Sequence, residues 1–448
     1  MKNLAISPAT QEISQFLNER YHPGPLTPPP MRKFLFSKAK PIFPKVHYDN
    51  FSYGQSLQKF REYIKINGAK EEGVRQIGFH LMTQPLLNSG AVVMGRHISP
   101  ASNPSFSQQI SQDQKAISRS LRFGDFEGRL HRNLKKFSAI LNVFDPHLSG
   151  NMPFLIGNRF INGKTVSVLR HAVPTVEKGF HNIEIAGEYQ AFLENCKAND
   201  QKVLYCALLS PQKIDEHFRL AKLGELVQKY PKTFHFIRIP LDGPLHDIDK
   251  FRTLDDYSIA IQKDLENSLF NPYPTKSSFF FSSDVKKTVS EGYIDILRFT
   301  KYWSKKISLD NPKDQKRAFM MLFSVLLKSH ILSNLSINYY NNTCKDSIDR
   351  GAVHVGSDLL WDDFLTGKAL QKENPFLLRS TIAWPAFLAK TKPVLAKRLI
   401  WLQSFASFLE KAEPYQKQMV SLQKKMLHLH MEHSPQLDTR NWTQEDPK

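Results

Sequence analysis

The pattern of apolar and polar positions predicts a mixed chain in which strands begin well after the amino terminus. From Leu155 short apolar runs dominate, and Asn162-Gly163 separates two of them, a strong signal for a β-hairpin. Two further apolar runs, Val203 to Leu209 and Phe234 to Ile239, enclose a segment from Ile214 to Tyr230 with helical periodicity. A strand, a helix and a strand at this spacing indicate an α/β unit.

Farther along the chain, long helical patterns flank one more strand. Gly292 to Lys306 has a helical, basic pattern, and Pro312 stands in the first turn of a long apolar helix. Leu335 to Tyr340 is predicted to be a strand, and a helical pattern after it continues to Phe364. Helical segments interrupted by prolines follow. The predicted fold class is therefore α/β, with a central sheet, flanking helices and a helical C-terminal part.

The composition along the chain divides it into three parts. Residues 1–119 hold a short polar helix, a Pro-rich basic arm and a helical segment. We expect the α/β domain to span residues 120–400, and residues 401–448 to form a helical extension with a disordered tail. In the arm, Lys and Arg residues are interleaved with Phe, which suits either an anionic membrane surface or packing on the main domain.

The overall composition limits the classes of protein and of ligand that the chain fits. The chain has 448 residues, 41% of them hydrophobic, and no apolar run long enough to span a bilayer. An excess of 61 Lys and Arg over 42 acidic residues gives a net charge of +19, which attracts nucleic acids, anionic lipids or multiply phosphorylated small molecules. With 3 cysteines and no signal-peptide pattern, we expect a soluble protein of a reducing compartment.

The segment whose residues are best suited to catalysis follows the last predicted strand. It is Cys344-Lys-Asp-Ser-Ile-Asp-Arg350, here called the Cys344 loop. A loop of this length between a strand and a helix is able to curl around one phosphate, with backbone N–H groups and the helix N-terminus as ligands. The same positive field favours the nucleophilic thiolate form of Cys344. Arg350 would donate from its planar guanidinium to two phosphate oxygens.

This loop resembles that of the Sac-domain phosphoinositide phosphatases, whose pattern after a strand is Cys-x-Asp-x-Leu-Asp-Arg-Thr-Asn. Cys344, Asp346, Asp349 and Arg350 match the pattern, and Ile348 stands at the Leu position. The resemblance is confined to this segment and implies a strand–P-loop–helix catalytic motif.

The loop is also similar to those of bacterial effector phosphoinositide phosphatases, of the Legionella SidF/SidP type and of the SopB type. The SopB-type pattern is Cys-Lys-Ser-x-Lys-Asp-Arg, which Lys345, Asp349 and Arg350 match, while Ile348 replaces the second Lys. One departure from the Sac pattern is Gly351-Ala352 in place of Thr-Asn. A hydroxyl at that place often assists the departing thiolate, so this role must be filled elsewhere or be absent.

The resemblance implies a role for each loop residue. Cys344 would be the nucleophile, Arg350 the phosphate ligand, and Asp349 or Asp346 the general acid. The rest of the substrate site would consist of residues in or next to the loop, Lys345, Ser347, Ile348 and Gly351, and of basic residues near the hairpin, Arg170, Lys178 or His171.

Several of these residues have a structural alternative. Asp346 and Asp349 would otherwise accept hydrogen bonds from loop N–H groups or hold Arg350 in place, and Lys345 would be a solvated lysine at the rim. Asp242, in a turn after another predicted strand, would be either a mobile acid from a second loop or a turn carboxylate. His354, one helical turn after the loop, would contribute to the site or lie on the helix surface.

The resulting hypothesis is a phosphatase that hydrolyses a phosphomonoester of phosphoinositides through a cysteinyl-phosphate, without a metal or other cofactor. Family habit favours the inositol 3-phosphate and a bacterial effector that acts peripherally on host membranes. Phosphoinositides in anionic membranes would be the partners, and no nucleic acid is expected. The alternatives are a protein tyrosine or dual-specificity phosphatase, a soluble inositol-polyphosphate phosphatase, and a catalytically silent module that binds phosphoinositide or nucleic acid. The ring position and the oligomeric state stay open.

Overall fold

The computed structural model describes residues 64, 68–83, 153–161, 163–177, 182–271, 277–367, 381–382, 386 and 394–427. The predicted N-terminal helix, the Pro-rich basic arm, Lys178 and the predicted disordered tail lie outside these residues. None of the helices within the described ranges is long and apolar enough to cross a membrane.

A six-stranded sheet forms the centre of the described fold. The strands in chain order are β1 (Phe154–Ile161), β2 (Lys164–Arg170), β3 (Thr175–Glu177), β4 (Ile183–Ile185), β5 (Val203–Ala207), β6 (Phe234–Arg238), β7 (Phe280–Phe281) and β8 (Tyr339–Thr343). The order across the sheet is β1-β2-β8-β5-β6-β7, and β3 pairs separately with β4. The four inner strands are parallel, whereas β1 and β7 run antiparallel at the two edges.

Helices cover both faces of this sheet. They are α1 (Glu72–Thr83), α2 (Gly187–Ala198), α3 (Ile214–Lys229), α4 (Leu254–Phe270), α5 (Ser283–Lys306), α6 (Pro312–Asn334), α7 (Arg350–Thr366), α8 (Ala396–Ala412) and α9 (Gln416–Met426). Since side chains alternate along a strand, Tyr205 of β5 packs with α1, α2 and α3, and Cys206 packs with the later helices. The fold therefore has three layers, with a mostly parallel sheet buried between two layers of helices.

The structure confirms the predicted α/β class with a central sheet, flanking helices and a helical C-terminal part. The hairpin is present as β1 and β2, and Gly163 at its turn has a φ of +69°, which favours glycine. The strand predicted at Leu335 to Tyr340 is displaced, because α6 continues to Asn334 and β8 begins only at Tyr339. Ser336, with a φ of +51°, turns the chain between the helix and the strand.

The C-terminal helices pack as part of the same core. The boundary predicted at residue 400 falls within α8, whose side chains Leu402, Phe405 and Leu409 are buried with those of α6 and α7. On the other face, Phe79 of α1 contacts the ring of Tyr339, with 5.9 Å between the ring centroids. Helices from both ends of the described chain thus cover the sheet.

A buried polar cluster joins α6, β8 and α7. Lys328 of α6 is fully buried, and its Nζ lies 2.7 Å from Oδ1 of Asp358 in α7. The Tyr340 hydroxyl lies 2.7 Å from Oδ2 of the same carboxylate, which also accepts a 2.6 Å hydrogen bond from Asn342. Nζ of Lys328 is 3.3 Å from Nδ1 of His354. We call these five residues the Lys328 cluster. It fixes the strand before the Cys344 loop to the helix after it.

Replacing Lys328 with Met should destabilise the protein by about 3–5 kcal/mol, because the substitution leaves the buried Asp358 carboxylate without its cation. Urea unfolding followed by circular dichroism measures this loss. Lys222→Met is the matched control, since Lys222 pairs with Glu225 on the exposed face of α3 and its loss should cost at most about 1 kcal/mol. Equal losses in the two variants would contradict the central role of the Lys328 cluster.

Candidate active site

The carboxyl ends of the four parallel strands meet at one edge of the sheet. This edge is where ligands bind in open α/β sheets. Arg170 ends β2, the Cys344 loop follows β8, Lys213 follows β5, and Asp242 follows β6. The chain therefore brings a thiol, several cations and several carboxylates together from four separate connections.

The Cys344 loop joins β8 directly to α7, so the strand, the loop and the helix follow one another as predicted. The thiol of Cys344 is buried, and the backbone N–H of Gly351, in the first turn of α7, points at its Sγ from 3.4 Å. Ser347 adopts a φ of +54° and donates its N–H to the carbonyl oxygen of Cys344 at 3.3 Å. Ile348 is fully buried and anchors the loop in the core. Phosphate binding by this loop stays a prediction.

The departure from the Sac pattern at Gly351 has a steric reason. A Cβ at this position would lie 2.5 Å from Oγ of Ser347 and 3.1 Å from the carbonyl oxygen of Asn342. Thr, the residue of the Sac pattern, therefore does not fit while the loop has this shape. The assisting hydroxyl is absent from this position.

Arg350 is held by two carboxylates that the sequence analysis did not connect with it. Its Nη1 lies 2.9 Å from Oε2 of Glu216, its Nη2 donates to Oε1 of the same side chain, and Nη1 is 2.9 Å from Oδ2 of Asp242. Burial by itself lowers the pKa of Arg350, but the hydrogen bonds with Glu216 and the charge of Cys344 raise it above the ordinary value. Arg350 is therefore a fixed cation at the end of the loop.

Asp242 lies at the centre of a cluster of cations. Besides Arg350, its carboxylate contacts Nζ of Lys213 at 2.7 Å and Nη2 of Arg398, near the start of α8. The pKa of Lys213 is lowered by partial burial and by the charges of Arg350 and Arg398, although Glu216 opposes this shift. We call these five residues the Asp242 cluster: Lys213, Glu216, Asp242, Arg350 and Arg398.

Arg170 reaches the loop from β2. Its guanidinium is buried, and its Nη2 donates to the carbonyl oxygen of Ser347 at 3.1 Å. Burial lowers the pKa of Arg170 to about 10, and the charge of Cys344 opposes this shift, so the arginine still carries its charge at neutral pH. The neighbouring His171 contacts the rings of Tyr189 and Tyr205 on the other side of the sheet.

The remaining polar side chains of the loop lie at its rim. Oδ1 of Asp349 accepts the backbone N–H of Leu395, the residue that precedes α8, at 2.9 Å. Nζ of Lys345 forms a 2.8 Å ion pair with Asp215. Asp346 is partly buried, and its charge raises the pKa of Arg219 against the stronger lowering by burial. Asp349 thus has a structural contact, but with the residue before α8 and not with the N–H groups of its own loop.

Two histidines behind the loop, the buried His354 and the half-buried His246, are neutral at neutral pH. The surface alternative for His354 is wrong, because its side chain is fully buried in the Lys328 cluster and burial holds its pKa well below the ordinary value. The ring of His246 packs on Trp401 with 4.2 Å between the centroids. Burial and the nearby charge of Arg350 lower the pKa of His246 to about 3.

Four residues of this site were not predicted from the sequence, namely Lys213, Glu216, His246 and Arg398. Glu216 and Arg398 stand 134 and 48 positions from Arg350 and carry no motif. Glu216 lies in the first turn of α3, where acidic residues are common for helix stability alone. No group of His, Cys, Asp or Glu in the described ranges is arranged to hold a metal ion.

Gly351→Ala should destabilise the protein by about 1–3 kcal/mol, because the added methyl overlaps Ser347. The matched control is Gly224→Ala, in the interior of α3, where an added Cβ meets nothing within 4 Å. That substitution should stabilise the protein by up to about 1 kcal/mol. Chemical unfolding gives both values, and a Gly351→Ala variant as stable as the wild type would show that the loop adopts another shape.

Comparisons with known proteins were made for the whole chain. No family model, no curated protein and no solved structure matches it. Function must therefore be inferred from the residues at the edge of the sheet and from the resemblance of the Cys344 loop.

Proposed function

We propose that the protein is a cysteine-dependent phosphatase that removes a phosphate from phosphoinositides. The observation that carries the proposal is the arrangement around Cys344. Its thiol lies at the N-terminus of α7, contacted by the N–H of Gly351, with Arg350 and Arg170 as buried cations beside it. A helix N-terminus and nearby guanidinium groups both favour the thiolate.

In the proposed reaction the Cys344 thiolate attacks the phosphorus of the monoester. The S–P bond forms while the bond from phosphorus to the inositol oxygen breaks, and a carboxylic acid gives its proton to that oxygen. Water then attacks the cysteinyl-phosphate, the S–P bond breaks, and inorganic phosphate leaves as the thiolate is restored. Arg350 stabilises the charge of the transferring group, and the two hydrogen bonds with Glu216 hold its guanidinium in place.

Two features favour a polyanionic lipid as substrate. The whole chain has a net charge of +19, and Lys213 and Lys345 lie at the rim, where they are partly exposed. The preference for the inositol 3-phosphate and the action on host membranes follow from the resemblance of the loop alone. We keep both as parts of the proposal that a substrate panel tests.

The wild-type protein should release phosphate from at least one phosphoinositide in liposomes with EDTA present, and Cys344→Ser should abolish this release because the nucleophile is lost. Free-phosphate assays over all phosphoinositides measure both. Cys196→Ala is the control, since Cys196 is buried in α2 away from the loop and its loss should leave activity in place.

Other substrate panels separate the alternatives. Release from phosphotyrosine peptides but from no lipid would indicate a protein phosphatase. A preference for soluble inositol polyphosphates over liposomes would indicate the soluble-substrate enzyme. Binding of phosphoinositide that survives Cys344→Ser, with no release from any substrate, would indicate a silent binding module and refute the proposal.

Asp346 and Asp349 are the two candidate acids, and we test Asp346 first as the proton donor, since the hydrogen bond from Leu395 gives Asp349 a structural role. Asp346→Asn should lower kcat on phosphoinositides by about 10²–10⁴-fold, and much less on p-nitrophenyl phosphate, whose leaving group needs no proton. Asp349→Asn should lower the melting temperature and leave the ratio of the two rates unchanged. The reverse result, a changed ratio only in Asp349→Asn, would transfer the role to Asp349.

A further inference from the structure

Asp242 occupies the position of an anion among three cations that come from three different parts of the chain. Lys213 precedes α3, Arg350 begins α7, and Arg398 lies in the first turn of α8. Both guanidinium groups are buried, while Lys213 is half exposed. Buried cations at this density require an anion, and in the unliganded protein the carboxylate of Asp242 supplies part of the compensation.

The two carboxylates of the Asp242 cluster differ in how firmly they are held. Glu216 is part of α3, forms both hydrogen bonds to Arg350, and also accepts the backbone N–H of Ser210. Asp242 lies in the connection after β6, next to Gly243 with its φ of +115°, and it forms ion pairs with the three cations. If the carboxylate of Asp242 moved away, the two hydrogen bonds from Glu216 would still hold Arg350 in place.

The charges of the Asp242 cluster favour replacement of the Asp242 carboxylate by a phosphate. Three cations face two carboxylates, so the Asp242 cluster keeps one positive charge. If a phosphate dianion replaced the carboxylate of Asp242, the same cations would be neutralised in full. Arginine pairs donating to phosphate oxygens are among the stronger hydrogen-bonded contacts in proteins.

We propose that Lys213, Arg350 and Arg398 form a phosphate-binding site that Asp242 fills in the unliganded protein, and that a substrate phosphate displaces the Asp242 carboxylate. This inference rests on the proposed function for its ligand class, a phosphate monoester of an inositol ring. It adds Arg398 and Lys213, both outside the Cys344 loop, as ligands of the phosphate. It also makes Asp242 a built-in competitor that weakens the binding of inorganic phosphate.

Calorimetric titration with inorganic phosphate, in the Cys344→Ser background where no covalent intermediate forms, tests the site. Asp242→Asn should bind phosphate at least about fivefold more tightly, because the competing charge is gone. Arg398→Met and Lys213→Met should bind it about tenfold more weakly. Repeating the titrations with a soluble inositol bisphosphate and with vesicles containing phosphatidylinositol 3-phosphate shows whether the free compound or the lipid headgroup is the better ligand.

Matched controls exist for both kinds of substitution. Asp247→Asn removes the same charge from the same connection, where Asp247 pairs with the exposed Lys250. Lys222→Met removes an exposed lysine of α3. Neither control should change phosphate affinity.

Phosphate affinity that is unchanged or weaker in Asp242→Asn would overturn the inference. This holds also if kcat falls in the same variant, because Asp242 would then be a general acid and not a competitor of phosphate. If Asp242→Asn or Arg398→Met does not fold, the half-exposed Lys213→Met decides, and unchanged affinity in that variant refutes the site. Failure of the proposed function gives a different result. Phosphate affinity would then follow the variants as expected, while the wild type releases phosphate from no substrate.

Discussion

The ion pair between Lys328 and Asp358 is the interaction on which the rest of the site depends. Both side chains are buried, and Tyr340 and Asn342 share the same carboxylate. The pair therefore joins α6 to α7, and the hydrogen bonds of Tyr340 and Asn342 connect the strand before the Cys344 loop to the same helix. A buried ion pair adds little net stability compared with apolar packing, but breaking one partner is costly. Its effect is to fix the relative position of the two ends of a short loop.

At the carboxyl edge of the sheet, buried arginines lie close to oxygen atoms that compensate their charge. Arg170, Arg350 and Arg398 are all buried there, and each is compensated by an oxygen from a different part of the chain. This arrangement keeps positive charge at the loop without exposing it to water, where ions would screen it. The neutral histidines behind the loop, His246 and His354, add no further charge at neutral pH.

The local pattern of the sequence was sufficient for most secondary structure. The hairpin before Arg170, the α/β unit from Val203 to Ile239 and the helix opened by Pro312 follow from hydrophobic period and turn residues. The strand before the Cys344 loop was placed several residues early, because the apolar end of α6 and the apolar start of a strand look alike over a few positions. The burial of His354 was also missed, since a polar residue on a predicted helix is most often exposed.

The sequence by itself determined the α/β class and the residues of the Cys344 loop, because both depend on neighbours along the chain. Only the tertiary structure decided which distant residues surround that loop. Glu216 and Arg398 became partners of the site because parallel strands direct their connections, and the helices that follow, to one edge of the sheet. Ion pairs between such connections have no fixed spacing, so no local pattern of residues predicts them.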